Sequence, residues 1–191
     1  TEIGSDFLTQ GRRAVEWIEQ TLADAPASIL HIQGTYGATA QLMRTKAICD
    51  AVEAHDNWHF AGQLAGDYTE SKAYEEVGDF LKTGAKFNIL YSENDNMTFG
   101  AMRAMDEAGI TYGQGGEVCI VSFDAVRRAL TACMEGKINL CVECNPLHGP
   151  RVVELIRQYL NGQEIPKQIY VEEQVFTPED LTREFIAERE Y

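Results

Sequence analysis

Short apolar runs rich in β-branched residues alternate with amphipathic stretches along the whole chain. Six runs predict strands: Ser28 to Gln33, Trp58 to Ala65, Phe87 to Tyr91, Val118 to Phe123, Ile138 to Val142 and Ile169 to Val175. The stretches between them repeat apolar residues with a helical period, and Gly109 and Gly136 each follow such a stripe, as is typical of helix ends. Strict alternation predicts an α/β fold, a parallel sheet with helices on both faces, and ligands bind such sheets at the carboxyl ends of the strands.

Two further helices are predicted near the carboxyl end of the chain. An apolar stripe indicates the first of them: Val152, Val153, Ile156, Tyr159 and Leu160. The second is predicted to start at Thr177-Pro178-Glu179, with Thr177 as the cap and Pro178 in the first turn.

Arg44 lies in the middle of an apolar helical stripe. On the predicted helix from Ala38 to Ala54, positions 40, 44, 47 and 51 share one face, and the other three are alanine. An unpaired buried charge would cost roughly several kcal/mol, so the guanidinium must be paired or must reach an opening. Helical side chains point toward the amino end, which is the ligand-binding rim in this topology. The competing interpretation is an internal Arg-Asp pair.

Polar groups follow four of the predicted strands and should share one rim. They lie in Gly34-Thr35-Tyr36-Gly37, Gly66-Asp67-Tyr68, Glu93-Asn94-Asp95 and at Asp124. For any single residue, such as Asp67 or Asp95, capping of the next helix is the favoured explanation of the polarity. Together with Arg44 they provide forked donors, acceptors and a flat aromatic face, a combination that suits a polyhydroxyl ligand.

Charge and motif content exclude several classes of function. Thirty acidic against sixteen basic residues give a net charge of −14, which argues against a nucleic-acid backbone as a direct partner. There is no run of eighteen apolar residues, so no membrane-spanning segment is predicted. No phosphate-binding or dinucleotide glycine motif follows a strand, and no cofactor is implied.

Catalytic and metal-binding signals are weak as well. None of the four histidines stands near an evident nucleophile, so no catalytic residue is assigned. Cys141 and Cys144 form a C-x-x-C, but without a second pair they do not predict a zinc site, and no metal ligand is assigned. The five cysteines show no disulfide-framework spacing.

One segment resembles a known family motif. Ser92 to Ala104 contains Asn94-Asp95-Asn96-Met97-Thr98-Phe99-Gly100-Ala101, which resembles the N-D-x-M-x-x-G-A motif of type I periplasmic sugar-binding proteins. Other stretches agree in order: Ile32-Gln33-Gly34 through Arg44, Gly66-Asp67-Tyr68-Thr69 with Lys72, Val121 to Asp124, and Val142-Glu143 to Pro146. The opening Ile3 to Phe7 and the ending around Phe176-Thr177-Pro178 are most similar to the galactofuranose-binding branch.

The resemblance implies roles for particular residues. Arg44, Asn94 and Asp124 match family residues that hydrogen-bond sugar hydroxyls, and Tyr68 matches an aromatic residue that packs on the sugar ring. We add Asp67 on the same rim and Glu143 at the hinge position as candidate ligand contacts. The family's ribose type has a glutamine before Leu-Pro at the hinge, whereas this chain has Glu143-Cys144-Asn145-Pro146, which argues against ribose or glucose.

The resemblance also implies a domain organisation and partners. Family members have two α/β lobes joined by three crossing strands, so we expect residues 1–143 to form the carboxyl-terminal sugar-binding lobe. Residues 144–168 would then belong to an amino-terminal lobe that is missing from this chain, and residues 169–191 would form the last crossing strand and a terminal helix. The expected function is solute binding for an ABC sugar importer, with a monosaccharide and an ABC permease as partners. The expected location is periplasmic or at the cell surface, with a signal or lipid anchor upstream.

Three alternatives remain open from the sequence. The effector domain of a lactose-repressor-type regulator shares the fold, and five cysteines fit a cytoplasmic protein more comfortably than an extracytoplasmic one. A sugar-sensing partner of a histidine kinase would look the same as a transport protein. A small α/β enzyme of flavodoxin or receiver type is the alternative from another class.

Overall fold

The computed structural model describes residues 1–191 and contains the mostly parallel sheet that the strand runs predict. The eight strands are β1 (Glu2–Gly4), β2 (Ala27–Gln33), β3 (Trp58–Ala65), β4 (Ile89–Ser92), β5 (Cys119–Asp124), β6 (Leu140–Glu143), β7 (Gln168–Tyr170) and β8 (Val175–Phe176). Six of them form one sheet in the order β3-β2-β4-β5-β6-β8, in which only β8 is antiparallel to its neighbour. Strands β1 and β7 form a separate parallel pair.

Helices cover both faces of the six-stranded sheet. The seven helices are α1 (Phe7–Leu22), α2 (Thr39–Ala54), α3 (Glu70–Lys82), α4 (Asp95–Glu107), α5 (Arg127–Met134), α6 (Gly149–Leu160) and α7 (Arg183–Glu188). Helices α1 and α2 enclose a core cluster of 13 buried residues on one face, whereas α3, α4 and α5 enclose one of 24 on the other. The buried strands therefore carry apolar side chains on both faces, as a covered parallel sheet requires.

Two strands begin two residues later than the sequence pattern predicts. The runs predicted to start at Phe87 and Ile138 become strands only at Ile89 and Leu140. In both cases an asparagine precedes the strand, and its side-chain oxygen accepts a backbone N–H from the neighbouring strand. The Oδ1 atom of Asn88 accepts the N–H of Ser28 at 2.8 Å, and the Oδ1 atom of Asn139 accepts the N–H of Ile120 at 2.8 Å.

The prediction of a single strand from Ile169 to Val175 is wrong. The segment is divided into β7, which pairs with β1, and β8, which pairs with β6. Between them, the backbone bonds to other segments: the N–H of Val171 donates to Gly4, and the N–H of Gln174 donates to the carboxylate of Glu143 at 2.8 Å. These contacts lead the chain from one sheet to the other.

The final helix also begins later than predicted. Thr177 does act as a cap, but of a single 3-10 turn at Pro178–Asp180. The Asp180 carboxylate accepts the N–H of Thr177 at 2.8 Å and closes this turn. The backbone becomes extended at Leu181, so α7 has to start again at Arg183 under a new cap, Thr182.

Helix α6 has an unusual surface. None of its residues is buried, although its apolar stripe is the one that the sequence predicts. The exposed apolar side chains are Val152, Val153, Ile156, Tyr159 and Leu160. No helix of the structure is both long and apolar enough to cross a membrane.

Helices α3 and α4 pack so closely that Gly100 has no room for a methyl group. A Cβ at Gly100 would overlap the carbonyl oxygen of Glu70 and lie 2.8 Å from the amide nitrogen of Tyr74, both backbone atoms of α3. We expect Gly100→Ala to lower the free energy of unfolding by about 1–3 kcal/mol, because the two helices must move apart. Urea unfolding followed by circular dichroism measures the change.

Gly78→Ala is the matched control. Gly78 lies inside α3, and a Cβ there meets nothing within 4 Å. The same substitution should be neutral there or stabilise by up to ~1 kcal/mol, through the higher helix propensity of alanine. Equal effects at the two glycines would contradict the packing argument.

Candidate functional site

The order of the strands creates an opening between β2 and β4. After β2 the chain moves outward to β3 and then returns to β4 on the other side of β2, so the connections that follow β2 and β4 diverge. Ligands bind α/β sheets in the crevice at such a switch point, outside the carboxyl ends of the strands. The residues at this position are Gly34 after β2 and Glu93 after β4, and α2 runs beside them.

Arg44 of α2 occupies the switch point with only 2 % of its surface exposed. Its Nε and Nη2 atoms donate to Oε1 of Gln10 at 3.0 and 2.7 Å, and Nη1 donates to the backbone carbonyl of Glu93. Its Nη2 atom also lies 3.3 Å from Oδ1 of Asp124. The guanidinium lies over the ring of Phe123, with 4.7 Å between Cζ and the ring centroid. The charge is therefore paired and oriented from several directions.

Asp124 is the partly exposed partner of that pair. Its side chain is 32 % exposed, and its position depends on an unusual turn, because Asp124 and Ala125 have φ angles of 101° and 61°. Non-glycine residues rarely adopt such angles, and they concentrate at functional sites. The turn is held by Asp95, whose Oδ2 atom accepts the N–H of Val126 at 2.8 Å. Burial raises the pKa of Asp124, and the nearby Arg44 opposes this shift.

Asn94 and Tyr68 stand next to this pair. The Oδ1 atom of Asn94 caps α4 by accepting the N–H of Met97 at 2.9 Å, while its Nδ2 atom has only a long contact, 3.5 Å, with the carbonyl of Tyr68. The Tyr68 ring covers Gly34 so closely that a Cβ at Gly34 would overlap it. The Tyr68 hydroxyl is buried without a hydrogen-bond partner, and burial, followed by the charge of Glu93, raises its pKa to about 12. Both side chains have unused donors.

Two of the six candidate residues are engaged elsewhere. Asp67 pairs with Lys72, with 2.6 Å between Oδ2 and Nζ, and has no contact with Arg44. Glu143 is buried, and its Oε1 atom accepts from Arg189 at 2.6 Å and from the Tyr191 hydroxyl at 2.5 Å. Its other oxygen accepts the N–H of Gln174. In this structure Glu143 therefore anchors the carboxyl-terminal segment, and its contact with a ligand stays a prediction.

A buried network supports the opening from behind. Glu93 and His31 are both fully buried, with 3.0 Å between Nε2 of His31 and Oε1 of Glu93. Gln63 donates to Nδ1 of His31 at 3.2 Å, so His31 uses Nε2 to donate to Glu93. Glu93 also accepts from Thr45 at 2.6 Å and from the N–H of Gly34 at 2.8 Å. The carboxylate thus joins β2, α2 and β4 beneath the site.

Asp95 begins a chain of hydroxyl groups that ends at Asn94. Its Oδ1 atom lies 2.5 Å from Oγ of Ser122, which lies 2.7 Å from Oγ1 of Thr98, and Thr98 donates to the carbonyl of Asn94 at 3.0 Å. Burial, followed by the charge of Asp124, raises the pKa of Asp95 to about 8. The hydroxyl of Ser122 and the N–H of Val126 both donate to the Asp95 carboxyl group, and these two hydrogen bonds oppose the rise of its pKa.

Asp95 should make stability depend on pH. The folded protein keeps a proton on Asp95 that the unfolded chain, with an ordinary pKa of 3.8, releases. The resulting stabilisation is complete below about pH 4 and is lost as the pH rises through about 8. Between those pH values the free energy of unfolding of the parent should fall by up to ~1.4 kcal/mol per pH unit through Asp95. The Asp95→Asn variant should lack this fall. Urea unfolding of both proteins across this range measures it.

Asp56→Asn is the control for loss of one negative charge, because Asp56 is exposed. Its free energy of unfolding should follow that of the parent at every pH. Parallel pH profiles for the parent and Asp95→Asn would show that Asp95 is charged in the folded protein.

One important residue, Gln10, is absent from the sequence-based candidates. It is 1 % exposed and contacts Arg44 directly. A signal for it exists, because Gln10, Ala14 and Ile18 share the buried face of α1 just as Arg44 shares an alanine face of α2. A polar side chain within an apolar helical stripe is the signal that indicates Arg44, and Gln10 carries the same signal.

Comparison with known proteins confirms the motif-based resemblance. A family model described as periplasmic binding protein domain matches residues 1–164. The galactofuranose-binding protein YtfQ of Escherichia coli is 25 % identical over 192 residues, which cover 99 % of this chain and 60 % of that protein. A solved structure shows the same likeness: the binding component of the arabinose ABC transporter of Shewanella sp. ANA-3 with α- and β-L-arabinofuranose. Its TM-score is 0.87 at 32 % identity, and the match covers 94 % of this chain and 59 % of that chain. The transcriptional regulator AscG of Escherichia coli is 27 % identical over 122 residues, 64 % of this chain and 32 % of that protein.

The chain spans about 60 % of the length of YtfQ and of the arabinose-binding component.

These matches also decide between the fold families. The order of the first five sheet strands occurs in flavodoxin-like proteins too, so strand order alone could not exclude that alternative. The family model matches most of the chain and decides against the flavodoxin-like alternative. The chain belongs to the periplasmic binding protein family.

Proposed function

We propose that this chain is part of the solute-binding component of an ABC sugar importer and binds a monosaccharide at the switch point between β2 and β4. The observation that carries the proposal is the pair formed by buried Arg44 and partly exposed Asp124 at the carboxyl ends of the strands. One charged donor and one charged acceptor, side by side at an opening, match two neighbouring hydroxyl groups of a sugar.

The charge balance of the site favours a neutral ligand. Asp124 lies against the guanidinium of Arg44, so an anionic ligand would meet the Asp124 carboxylate as well as the cation. A hydroxyl group can donate to Asp124 and accept from Arg44 without adding charge. The free amide N–H of Asn94 and the hydroxyl of Tyr68 supply further donors, and the Tyr68 ring supplies an apolar face.

Two of the relatives support a five-membered sugar ring. YtfQ is named for galactofuranose, and the arabinose-binding component was solved with arabinofuranose. We propose a furanose as the ligand of this chain too. The ribose-type hinge pattern is absent from this chain. Glu143, which stands at that position, binds the chain's own residues through its carboxylate.

We propose that residues 1–143 form a sugar-binding lobe and that residues 144–168 belong to a second, amino-terminal lobe. The support is α6, whose apolar stripe lies in solvent over its whole length. Exposing such a stripe is unfavourable, and a second lobe would cover it. Closure of the two lobes would enclose a ligand bound at the carboxyl ends of the strands.

The same proposal includes the remaining partners and the location. A closed, sugar-loaded form would dock on an ABC permease, and the protein would act in the periplasm or at the cell surface, held by a signal or lipid anchor encoded upstream. The net charge of −14 is compatible with this role and unfavourable for direct contact with nucleic acid.

The second candidate function is the effector-binding part of a transcription regulator. The likeness to AscG favours it. The ligand site would be the same, whereas the partner would be an upstream DNA-binding segment. The complete gene discriminates between the two, since such a segment and a secretory or lipoprotein signal exclude each other.

Substitution of Arg44 tests the site in the protein expressed from the complete gene. We expect calorimetric titration with a panel that includes L-arabinose and D-galactose to identify a binding sugar. Arg44→Ala should then weaken its affinity about 100-fold or more, because a buried hydrogen-bonding charge is lost. Asp124→Asn, which keeps the shape of the side chain, should weaken affinity about tenfold.

Arg128→Ala is the matched control, since Arg128 is an exposed arginine at the surface of α5. It should bind the sugar as the parent does. A thermal unfolding curve for each variant separates loss of binding from loss of folding. Unchanged affinity in a folded Asp124→Asn protein would contradict the proposed site.

Substitution of Ile156 tests the two-lobe organisation. Ile156→Ser places a polar group in the exposed stripe of α6, so this chain alone should keep its melting temperature and self-associate less. In the complete protein the same change should lower the free energy of unfolding by about 2–4 kcal/mol, because Ile156 is then a core residue. Arg157→Ser, at the neighbouring exposed position, should have little effect in either protein. Equal effects of Ile156→Ser in the two proteins would contradict the organisation.

A further inference from the structure

The carboxylate of Glu173 joins three segments that are far apart in sequence. Its Oε1 atom accepts from Oγ of Ser5 at 2.5 Å and from the N–H of Asn145 at 2.9 Å. Ser5 follows β1, Asn145 follows β6, and Glu173 itself lies between β7 and β8. At these points the chain passes between the six-stranded sheet and the part that contains α6, β1 and β7. We call residues 4–6, 144–146 and 171–174 the crossing segments.

Gln10 connects this carboxylate to Arg44. The Nε2 atom of Gln10 donates to Oε2 of Glu173 at 2.7 Å, and its Oε1 atom accepts twice from Arg44. The orientation of the Gln10 amide is unambiguous, because a guanidinium only donates and a carboxylate only accepts. Both ends of a side chain that is almost fully buried are thus used by charged groups.

The connection leads from the ligand opening to the crossing segments. It starts at the partly exposed Asp124, which contacts Arg44. Arg44 contacts Gln10, and Gln10 contacts Glu173. Arg13 fixes the other side of Glu173 by donating to its backbone carbonyl at 2.6 Å. Simple filling of space by α1 would not require a donor and an acceptor in this order.

We propose that Gln10 and Glu173 act as positioning residues: they hold Arg44 in its ligand-binding orientation and link that orientation to the geometry of the crossing segments. This inference rests on the proposed function, because it gives Arg44 a sugar ligand. It adds that the affinity for the sugar depends on a contact between Gln10 and Glu173, neither of which lies at the opening itself.

An exchange of the two side chains tests the inference. Gln10→Glu alone places two carboxylates face to face. Glu173→Gln alone has one oxygen for two donors, so its amide nitrogen must face either the amide nitrogen of Gln10 or the N–H of Asn145. In the double variant, the new amide at position 173 donates to the new carboxylate at position 10, and that carboxylate still accepts from Arg44. The oxygen of the new amide still accepts from Ser5 and Asn145, so every hydrogen bond is restored with one direction reversed.

The measurement is calorimetric titration of the complete protein with the sugar that the parent binds. Each single variant should weaken affinity about tenfold or more, and the double variant should return to within about threefold of the parent. Rescue by the exchange would not occur if the two positions mattered only for packing. Gln20→Glu is the control, since it makes the same chemical change at an exposed position of α1 and should leave affinity unchanged.

Each outcome decides one question. A parent protein that binds no sugar of the panel overturns the proposed function, and the inference with it. A parent that binds while both single variants bind equally well overturns the inference alone. If a single variant does not fold, as judged by circular dichroism, the double variant still decides: recovered affinity supports the contact, and lost folding or lost affinity overturns it.

Discussion

Burial of one positive charge organises the centre of this structure. Arg44 sits between α2 and the sheet, where an unpaired guanidinium would be strongly unfavourable. Its partners come from different parts of the chain: Gln10 from α1, the carbonyl of Glu93 from the end of β4, and Asp124 from the end of β5. The requirement to satisfy Arg44 therefore fixes how three elements meet at the switch point. Only Asp124 among these partners reaches solvent, and this is where a ligand can enter the network.

The fold accepts local strain to keep that arrangement. The connections after β3 and β5 contain non-glycine residues with positive φ, at Asp67 and Tyr68 and at Asp124 and Ala125. Such angles cost about 1–3 kcal/mol each and persist only where surrounding contacts determine them. Asp95 provides such a contact for the second turn, and its own burial makes it prefer a proton. Strain and a shifted pKa thus lie together at the carboxyl ends of the strands, which is typical of binding sites.

The sequence contains much of this information where a regular period is involved. The sheet and the burial of Arg44 follow from strand alternation and from the helical period of α2, which local residues determine. The role of Glu143 could not be predicted, because its partners Arg189 and Tyr191 are more than forty residues away and carry no pattern. The division of the last strand depends on contacts of the same kind. Gln10 was accessible to the period argument, since it lies on the buried face of α1.

The central claim is that Arg44 and Asp124 together bind a sugar. A crystal structure of the complete protein with its sugar tests it most directly. We expect neighbouring hydroxyl oxygens of one furanose ring at about 2.6–3.2 Å from both the guanidinium of Arg44 and the carboxylate of Asp124. A sugar bound elsewhere on the protein, with Arg44 and Asp124 contacting only each other, would contradict the account.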